Sequence, residues 1–191
     1  MRSMLQGPLS AGMRIKLGVG AALAALLVTA VAEAKLARGG PATTTFTATG
    51  PGGLKIIGTT SDLDVLDDGQ TVTISVPLAN LSTGISLRDK HMKEKYLEVP
   101  KFPNATFKVP RSALPAAGAS GEADVPGTMN IHGQNHPVTV HFKSQAAGAT
   151  SNVDGTAHVN MKDYGIDVPS YLGVTVKPDV DLAVHFVAKD G

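Results

Sequence analysis

The chain has 191 residues, with 17 lysines and arginines against 16 aspartates and glutamates, and neither cysteine nor tryptophan. A net charge of +1 offers no basic stripe for nucleic acid and no polybasic patch for a membrane surface, and the lack of cysteine excludes both a disulfide framework and a thiolate nucleophile. The length suits one domain that is stabilised by its own core.

Arg14 and Lys16 precede an uncharged run from Leu17 to Ala32, which ends in Ala32-Glu33-Ala34. This is the pattern of a secretory signal peptide with an A-x-A cleavage site. The alternative is a membrane-anchoring helix, but sixteen residues rich in Ala and Gly fall short of the roughly 20 needed to span a bilayer. Residues 1–34 are therefore predicted to be a signal peptide, and Met13 offers a second start within it. Its removal takes away Arg2, Arg14, Lys16 and Glu33, leaving 14 positive and 15 negative side chains and a net charge of −1. The mature protein is expected to begin at Lys35, to be periplasmic or secreted, and to carry no integral membrane span. Residues 35–43, small and polar around Gly39-Gly40-Pro41, read as a flexible leader, and residues 44–191 as the folded domain.

From Thr44 onward the apolar period is two. Val72, Ile74, Val76 and Leu78 alternate with Thr71, Thr73 and Ser75, which gives a strand with one apolar face. The pattern recurs at Met129 and Ile131, at Val138, Val140 and Phe142, at Val153, Ala157, Val159 and Met161, and at Val180, Leu182, Val184 and Phe186. Between Leu54 and Val65 the apolar parity switches near Gly58, as at a bulge or sharp bend. Gly50-Pro51-Gly52-Gly53, Asp67-Asp68-Gly69-Gln70 and His132 to Pro137 read as turns, and Ala113 to Ser120 and Gln145 to Ser151 as exposed loops. About eight antiparallel strands with one apolar face must close on themselves or stack as a sandwich, and local sequence does not choose between the two.

One stretch departs from this period. Ser86 is placed to cap a short helix, with Asp89 three residues on in a capping-box arrangement. Met92 and Tyr96 fall one turn apart with Leu97 beside them, and Asp89/Lys93 and Lys90/Glu94 form i,i+4 pairs. Pro100 ends the helix, and Pro103 sets up an extended run from Asn104 to Val109. The helix thus follows the third strand.

Thr83-Gly84 with Arg88-Asp89-Lys90-His91-Met92, then Phe102-Pro103-Asn104-Ala105-Thr106-Phe107, resembles the T-G, R-D-x-H-L and F-P-x-A-x-F signature of YceI-like proteins. Gly127-Thr128-Met129-Asn130-Ile131-His132-Gly133 is similar to that family's G-x-L-x-I-H-G hairpin, and Asp163-Tyr164-Gly165-Ile166 to its D-F-G-I segment. The resemblance runs from about Thr44 to Ala188 and implies an all-β fold, an antiparallel lipocalin-like barrel of about eight strands that binds polyisoprenoid or other long-chain lipid. Many members carry an Asp-x-x-His-Ser segment before the first strands; nothing between Ala34 and Thr49 matches it, so an abbreviated barrel start is expected.

No catalytic apparatus is predicted. There is no G-x-S-x-G elbow, and the Gly50 to Gly53 cluster lacks the Lys-Ser/Thr of a phosphate cradle. Among the histidines, His132 and His136 flank one hairpin, and His141, His158 and His185 fall on the polar parity of their strands. No pair has the spacing of a zinc site, so neither metal nor cofactor is expected. Arg88, Asp89 and His91 read first as a buried hydrogen-bonded cluster tying the helix to the barrel rim, and second as ligand contacts. The inward candidates for an apolar lining are Phe46, Ile56, Ile74, Val76, Met92, Tyr96, Phe102, Phe107, Met129, Ile131, Val138, Val140, Phe142, Val159, Met161, Tyr164, Leu182, Val184 and Phe186. Mostly aliphatic, they favour a hydrocarbon such as an isoprenoid, quinone or fatty-acyl lipid over a sugar or nucleotide. The expected function is an exported, non-enzymatic carrier of such a molecule. The alternative is a packed, ligand-free barrel acting as a structural, interaction or stress-related module. Self-association into a homodimer is left open.

Overall fold

The computed structural model describes residues 35–171 and 173–191; the signal segment read at 1–34 lies outside the described residues. Nine strands form one antiparallel sheet: β1 (Leu36–Thr49), β2 (Lys55–Thr60), β3 (Asp64–Asp67), β4 (Thr71–Pro77), β5 (Asn104–Pro110), β6 (Gly121–Ile131), β7 (Gln134–Ala147), β8 (Thr150–Asn160) and β11 (Asp179–Asp190). Between β8 and β11, the short β9 (Ser170–Tyr171) and β10 (Val174–Thr175) make a separate hairpin. The sheet order is β2-β1-β11-β8-β7-β6-β5-β4-β3. Its two edges, β2 and β3, are consecutive in the chain, so the sheet curls round and the connection between them crosses the seam. The apolar alternation drives the curl by turning one face of each strand inward.

The seam is closed by packing and single contacts rather than by a ladder. Leu63, in the crossing connection, is buried with Ala42, Val76, Phe186 and Ala188 from strands on both sides. Thr59 and Ser82 exchange backbone hydrogen bonds of 2.8 and 2.9 Å, and Arg38 Nη1 donates to the Leu63 carbonyl at 2.9 Å.

Several expectations are corrected. Residues 35–43 are not a leader: β1 begins at Leu36, which is buried, and at 14 residues it equals the longest strand. The barrel start is therefore not abbreviated. Gly39-Gly40-Pro41 belongs to an irregularity in which Arg38 pairs with Ala188 and Ala42 with Phe186. Three residues thus lie opposite the single Val187, and an excess of two keeps Leu36 and Ala42 on the same inward face. The parity switch near Gly58 is not a bulge. The chain leaves the sheet after Thr60 and re-enters at its other edge at Asp64, so the helix follows the fourth strand and the sheet has nine strands rather than eight. Two turns are tighter than expected: β6 and β7 pair up to Ile131 and Gln134, and β7 and β8 up to Ala147 and Thr150, because cross-strand pairing satisfies backbone groups that a wide loop would leave to water.

The helix is α1 (Ser86–His91), continued by a π-helical turn over Met92–Tyr96. It forms no capping box. Ile85 occupies the cap position and no side chain caps it; Asp89 instead accepts hydrogen bonds from residues before the helix.

Candidate functional site

The inward faces enclose a cavity of about 750 Å³ that runs the length of the barrel. The strand directions give it two ends. The base gathers the start of β1, the β3–β4 turn, the loop after β5, the β7–β8 turn and the end of β11. The mouth gathers the β1–β2 turn, α1, the β6–β7 hairpin and the β9–β10 hairpin.

Large rings lie along the wall, which leaves the lumen open. Phe46 pairs across the sheet with Gly58, and its ring fills the space a side chain there would need: a Cβ on Gly58 would stand 2.1 Å from Phe46 Cε1. Gly127 does the same for Phe107, where a Cβ would meet the ring at 2.4 Å and the Lys108 carbonyl at 2.5 Å. Glycine is required at both positions by close approach rather than by backbone conformation.

The lining is almost wholly apolar. Of the residues expected there, Phe46, Ile56, Ile74, Val76, Met92, Tyr96, Phe107, Met129, Ile131, Val140, Phe142, Val159, Met161, Tyr164, Leu182, Val184 and Phe186 face it. Phe102 and Val138 do not. Phe102 packs edge-on to His132 with ring centroids 4.5 Å apart, and sits over Gly133. Val138 is inward but packs against the cluster of Met129, Tyr164 and Ile166. Leu36, Val65, Val72, Val109, Val125 and Val180 also line the cavity and were not anticipated. Val72 and Val180 share the parity of residues that were, and Val125 and Val109 continue the alternation of Met129 and Phe107, so the period-two signal was there to extend.

The polar atoms on the lining are mostly already partnered. Ser144 Oγ and Ser151 Oγ both donate to the Ala119 carbonyl, at 2.8 and 3.2 Å. Arg88 donates from Nε to Thr83 Oγ1 at 2.7 Å and from Nη2 to the Thr83 carbonyl at 2.8 Å. The expected Arg88/Asp89/His91 cluster does not form. Asp89 accepts from Ser82 Oγ at 2.6 Å and from both the amide and the hydroxyl of Thr83, so Thr83 stands between the Arg and the Asp. Both are half-buried, and His91 is exposed on the cavity lip. A helical residue points back over the turn before it, which brings both side chains onto Ser82-Thr83. Partial burial works to raise the Asp89 carboxyl, but the hydrogen bonds from Ser82 and Thr83 outweigh it and hold the group below the ordinary aspartate value.

A second network closes one side of the mouth. His132, at φ 52°, places Nε2 3.0 Å from Glu98 Oε2 and Nδ1 3.2 Å from the Tyr164 carbonyl. Glu98 is itself at φ 43° and also holds Lys101 Nζ at 2.7 Å. These bonds join the hairpin, the segment after the helix and the turn at Met161–Tyr164. Lys101 and His132 together keep the Glu98 carboxyl below its ordinary range.

On the outer wall, His141 sits 2.8 Å from Asp124, His158 2.8 Å from Asp181 and His185 2.8 Å from Asp154. These histidines face solvent as expected, but each has a cross-strand carboxylate that the sequence had not suggested. Among the described residues no group of three or more His, Cys, Asp or Glu side chains is placed to hold a metal ion, and no helix is long and apolar enough to cross a membrane.

The family model described as YceI-like domain matches residues 37–188. A UPF0312 protein of Vibrio cholerae serotype O1 is 29% identical over 126 residues, covering 62% of this chain and 64% of that protein. A UPF0312 protein of Pseudomonas syringae pv. syringae is 29% identical over 131 residues, covering 64% of this chain and 65% of its own. The match thus spans just under two thirds of these curated relatives. Among solved structures, a polyisoprenoid binding domain from Saccharophagus degradans implicated in plant cell wall breakdown superposes with a TM-score of 0.67 at 15% identity, over 83% of this chain and 99% of that one. BcnA of Burkholderia cenocepacia gives 0.62 at 17% identity, over 76% and 95%. At these identities the two structures establish a shared fold.

Proposed function

The chain belongs to the YceI-like family, and from that premise we propose that it is an exported, non-enzymatic carrier that holds one long apolar molecule inside its barrel. The observation that carries this reading is the continuous apolar cavity of about 750 Å³. At ~30 Å³ for a water-sized group, it has room for on the order of twenty carbons. Each methylene taken out of water contributes about 0.8 kcal/mol, so a chain of that length is held by hydrocarbon burial without charged contacts. An isoprenoid, a quinone or a fatty-acyl lipid meets this description. The neighbour from Saccharophagus degradans, named as polyisoprenoid binding, supports the class of ligand. A packed interaction module would instead fill this volume with side chains, whereas Phe46 and Phe107 are drawn against the wall.

Mass spectrometry of an organic extract of the purified protein tests the proposal. A long-chain apolar species is expected at near one-to-one ratio. Protein that carries none, and takes up none when mixed with fatty acid or prenol, sinks it. The export half is tested separately by intact mass: a chain beginning at Lys35 is expected, and a membrane-retained full-length chain would replace it with an anchored form.

A further inference from the structure

The mouth of the cavity carries large apolar side chains on elements outside the nine-stranded sheet. Ile85 and Leu87, at the start of the helix, are 53% and 56% exposed, and Val174 of the β9–β10 hairpin is 44% exposed. All three also line the cavity, so they form its lip. Leu54, Ile57 and Leu66 are similarly exposed but do not line it. The lip is therefore continuous with the lumen, unlike apolar residues scattered singly on a surface.

The same segment is locally basic. From residue 86 to 96, Arg88, Lys90, Lys93 and Lys95 stand against Asp89 and Glu94, although the chain without its first 34 residues has a net charge of −1. The near-neutral total hides this local excess. Arg88 is occupied by Thr83, and Lys93 lies close enough to Asp89 to lower its carboxyl. Lys90 and Lys95 are exposed beside the lip and form no ion pair among the described residues.

We propose that this lip docks on a bilayer that bears anionic headgroups. Ile85, Leu87 and Val174 enter the headgroup boundary while Lys90 and Lys95 face the anionic groups, an arrangement of apolar and basic side chains suited to a membrane interface. Docking there lets an apolar molecule pass between membrane and lumen without crossing water. The inference rests on the carrier reading of the cavity. Charge complementarity favours a lipid surface as the occupant, and an acceptor protein is the rival that the test separates.

The experiment is co-sedimentation of the mature protein with phosphatidylcholine vesicles, with and without phosphatidylglycerol. Uptake of parinaric acid is measured in parallel, without vesicles. Binding is expected only when phosphatidylglycerol is present, and it should weaken with added salt. Ile85→Asn with Leu87→Asn is expected to reduce it about tenfold or more, and Lys90→Gln with Lys95→Gln by a similar factor. Ile57→Asn with Leu66→Asn, away from the lip, should leave it unchanged. A wild type that takes up parinaric acid but ignores both vesicle types overturns the docking surface and leaves the carrier standing, with a protein acceptor in its place. Equal losses from the lip and control pairs overturn it too. Vesicle binding through the lip by a protein that takes up no fatty acid upholds the surface and removes the carrier reading.

Discussion

The two ends of the barrel are built on opposite principles. At the base, Asp67 is 1% exposed at its side chain and accepts from three donors: the Leu36 amide at 2.8 Å, the Gly69 amide at 2.8 Å and Arg111 Nε at 3.1 Å. Arg111, 7% exposed, also donates to the carbonyls of Leu114 and Pro115, in the loop that lines this end of the cavity. One carboxylate thus joins the first strand, the β3–β4 turn and the loop after β5. The mouth has no buried ion pair among the described residues. It is held by Thr83 and His132, whose charged partners Arg88, Asp89 and Glu98 are half-buried, and its apolar lip is left in water. A buried charge is tolerated only where every contact is satisfied, which fixes geometry; a lip that admits a ligand, as proposed above, is not to be fixed in that way. On the proposed carrier reading, the contrast makes the base the scaffold and the mouth the entrance.

The largest test strikes the base. Asp67→Ala leaves the Arg111 guanidinium buried without its partner, and a loss of roughly 3 to 5 kcal/mol is expected in chemical denaturation. Leu87→Asn at the mouth should change stability by less than about 0.5 kcal/mol. Equal losses at the two sites would erase the distinction.

A smaller effect is expected within the wall. Gly58→Ala forces the Phe46 ring off the strand, and overpacking of this kind costs about 1 to 3 kcal/mol. The displaced ring can only swing into the lumen, so ligand capacity should fall together with the melting temperature. Val140→Trp separates these two effects. Val140 faces the open cavity, so the indole should lodge there at a cost of less than about 1 kcal/mol, while lipid uptake is lost. A drop of several kilocalories without any change in uptake would mean that the lumen closes in solution.

The smallest effect is on the outer wall and concerns pH. The hydrogen bond that His158 donates to the Asp181 carboxylate raises the histidine above its ordinary value and outweighs the opposing effect of burial, and the bond from His141 to Asp124 does the same there. A histidine raised in the folded state contributes stability that is fully present below the unfolded value of about 6.5 and is lost as pH rises through the folded value. Both pairs are exposed, so solvent screening keeps the contribution slight. The melting temperature should fall slightly from mildly acidic to mildly alkaline pH, and Asp181→Asn should flatten that slope. An unchanged slope in the variant would show that the His158 pair carries none of it. Asp89, held low at the mouth, acts in the other direction: its contribution is present above about pH 4 and is lost as pH falls further.

Local sequence determined most of the wall. Alternation along β4, β7, β8 and β11 assigned the inward residues, because a side chain in an extended strand has only two faces to choose from. The presence of the helix was equally legible, but its ends were not: Ile85 rather than Ser86 takes the cap position, and the helical turn stops at Tyr96, before Pro100, with Glu98 already at φ 43°. The lining extended beyond the residues expected wherever the same parity continued, as at Val72 and Val180. What sequence could not settle was decided by contacts between distant segments. Barrel or sandwich depended on where β2 and β3 end up, and they lie at opposite edges of one curled sheet. Leu36 joins the core only because β11 pairs with it and Asp67 accepts its amide. Arg88 and Asp89 read as partners because they are adjacent, yet their directions from the helix send both to Thr83. Asp67 and Arg111 are 44 positions apart, a separation with no periodic signature, and their pairing exists only once the β3–β4 hairpin has folded against β5. Periodicity reports which face of an element is buried; tertiary structure alone decides what that face meets.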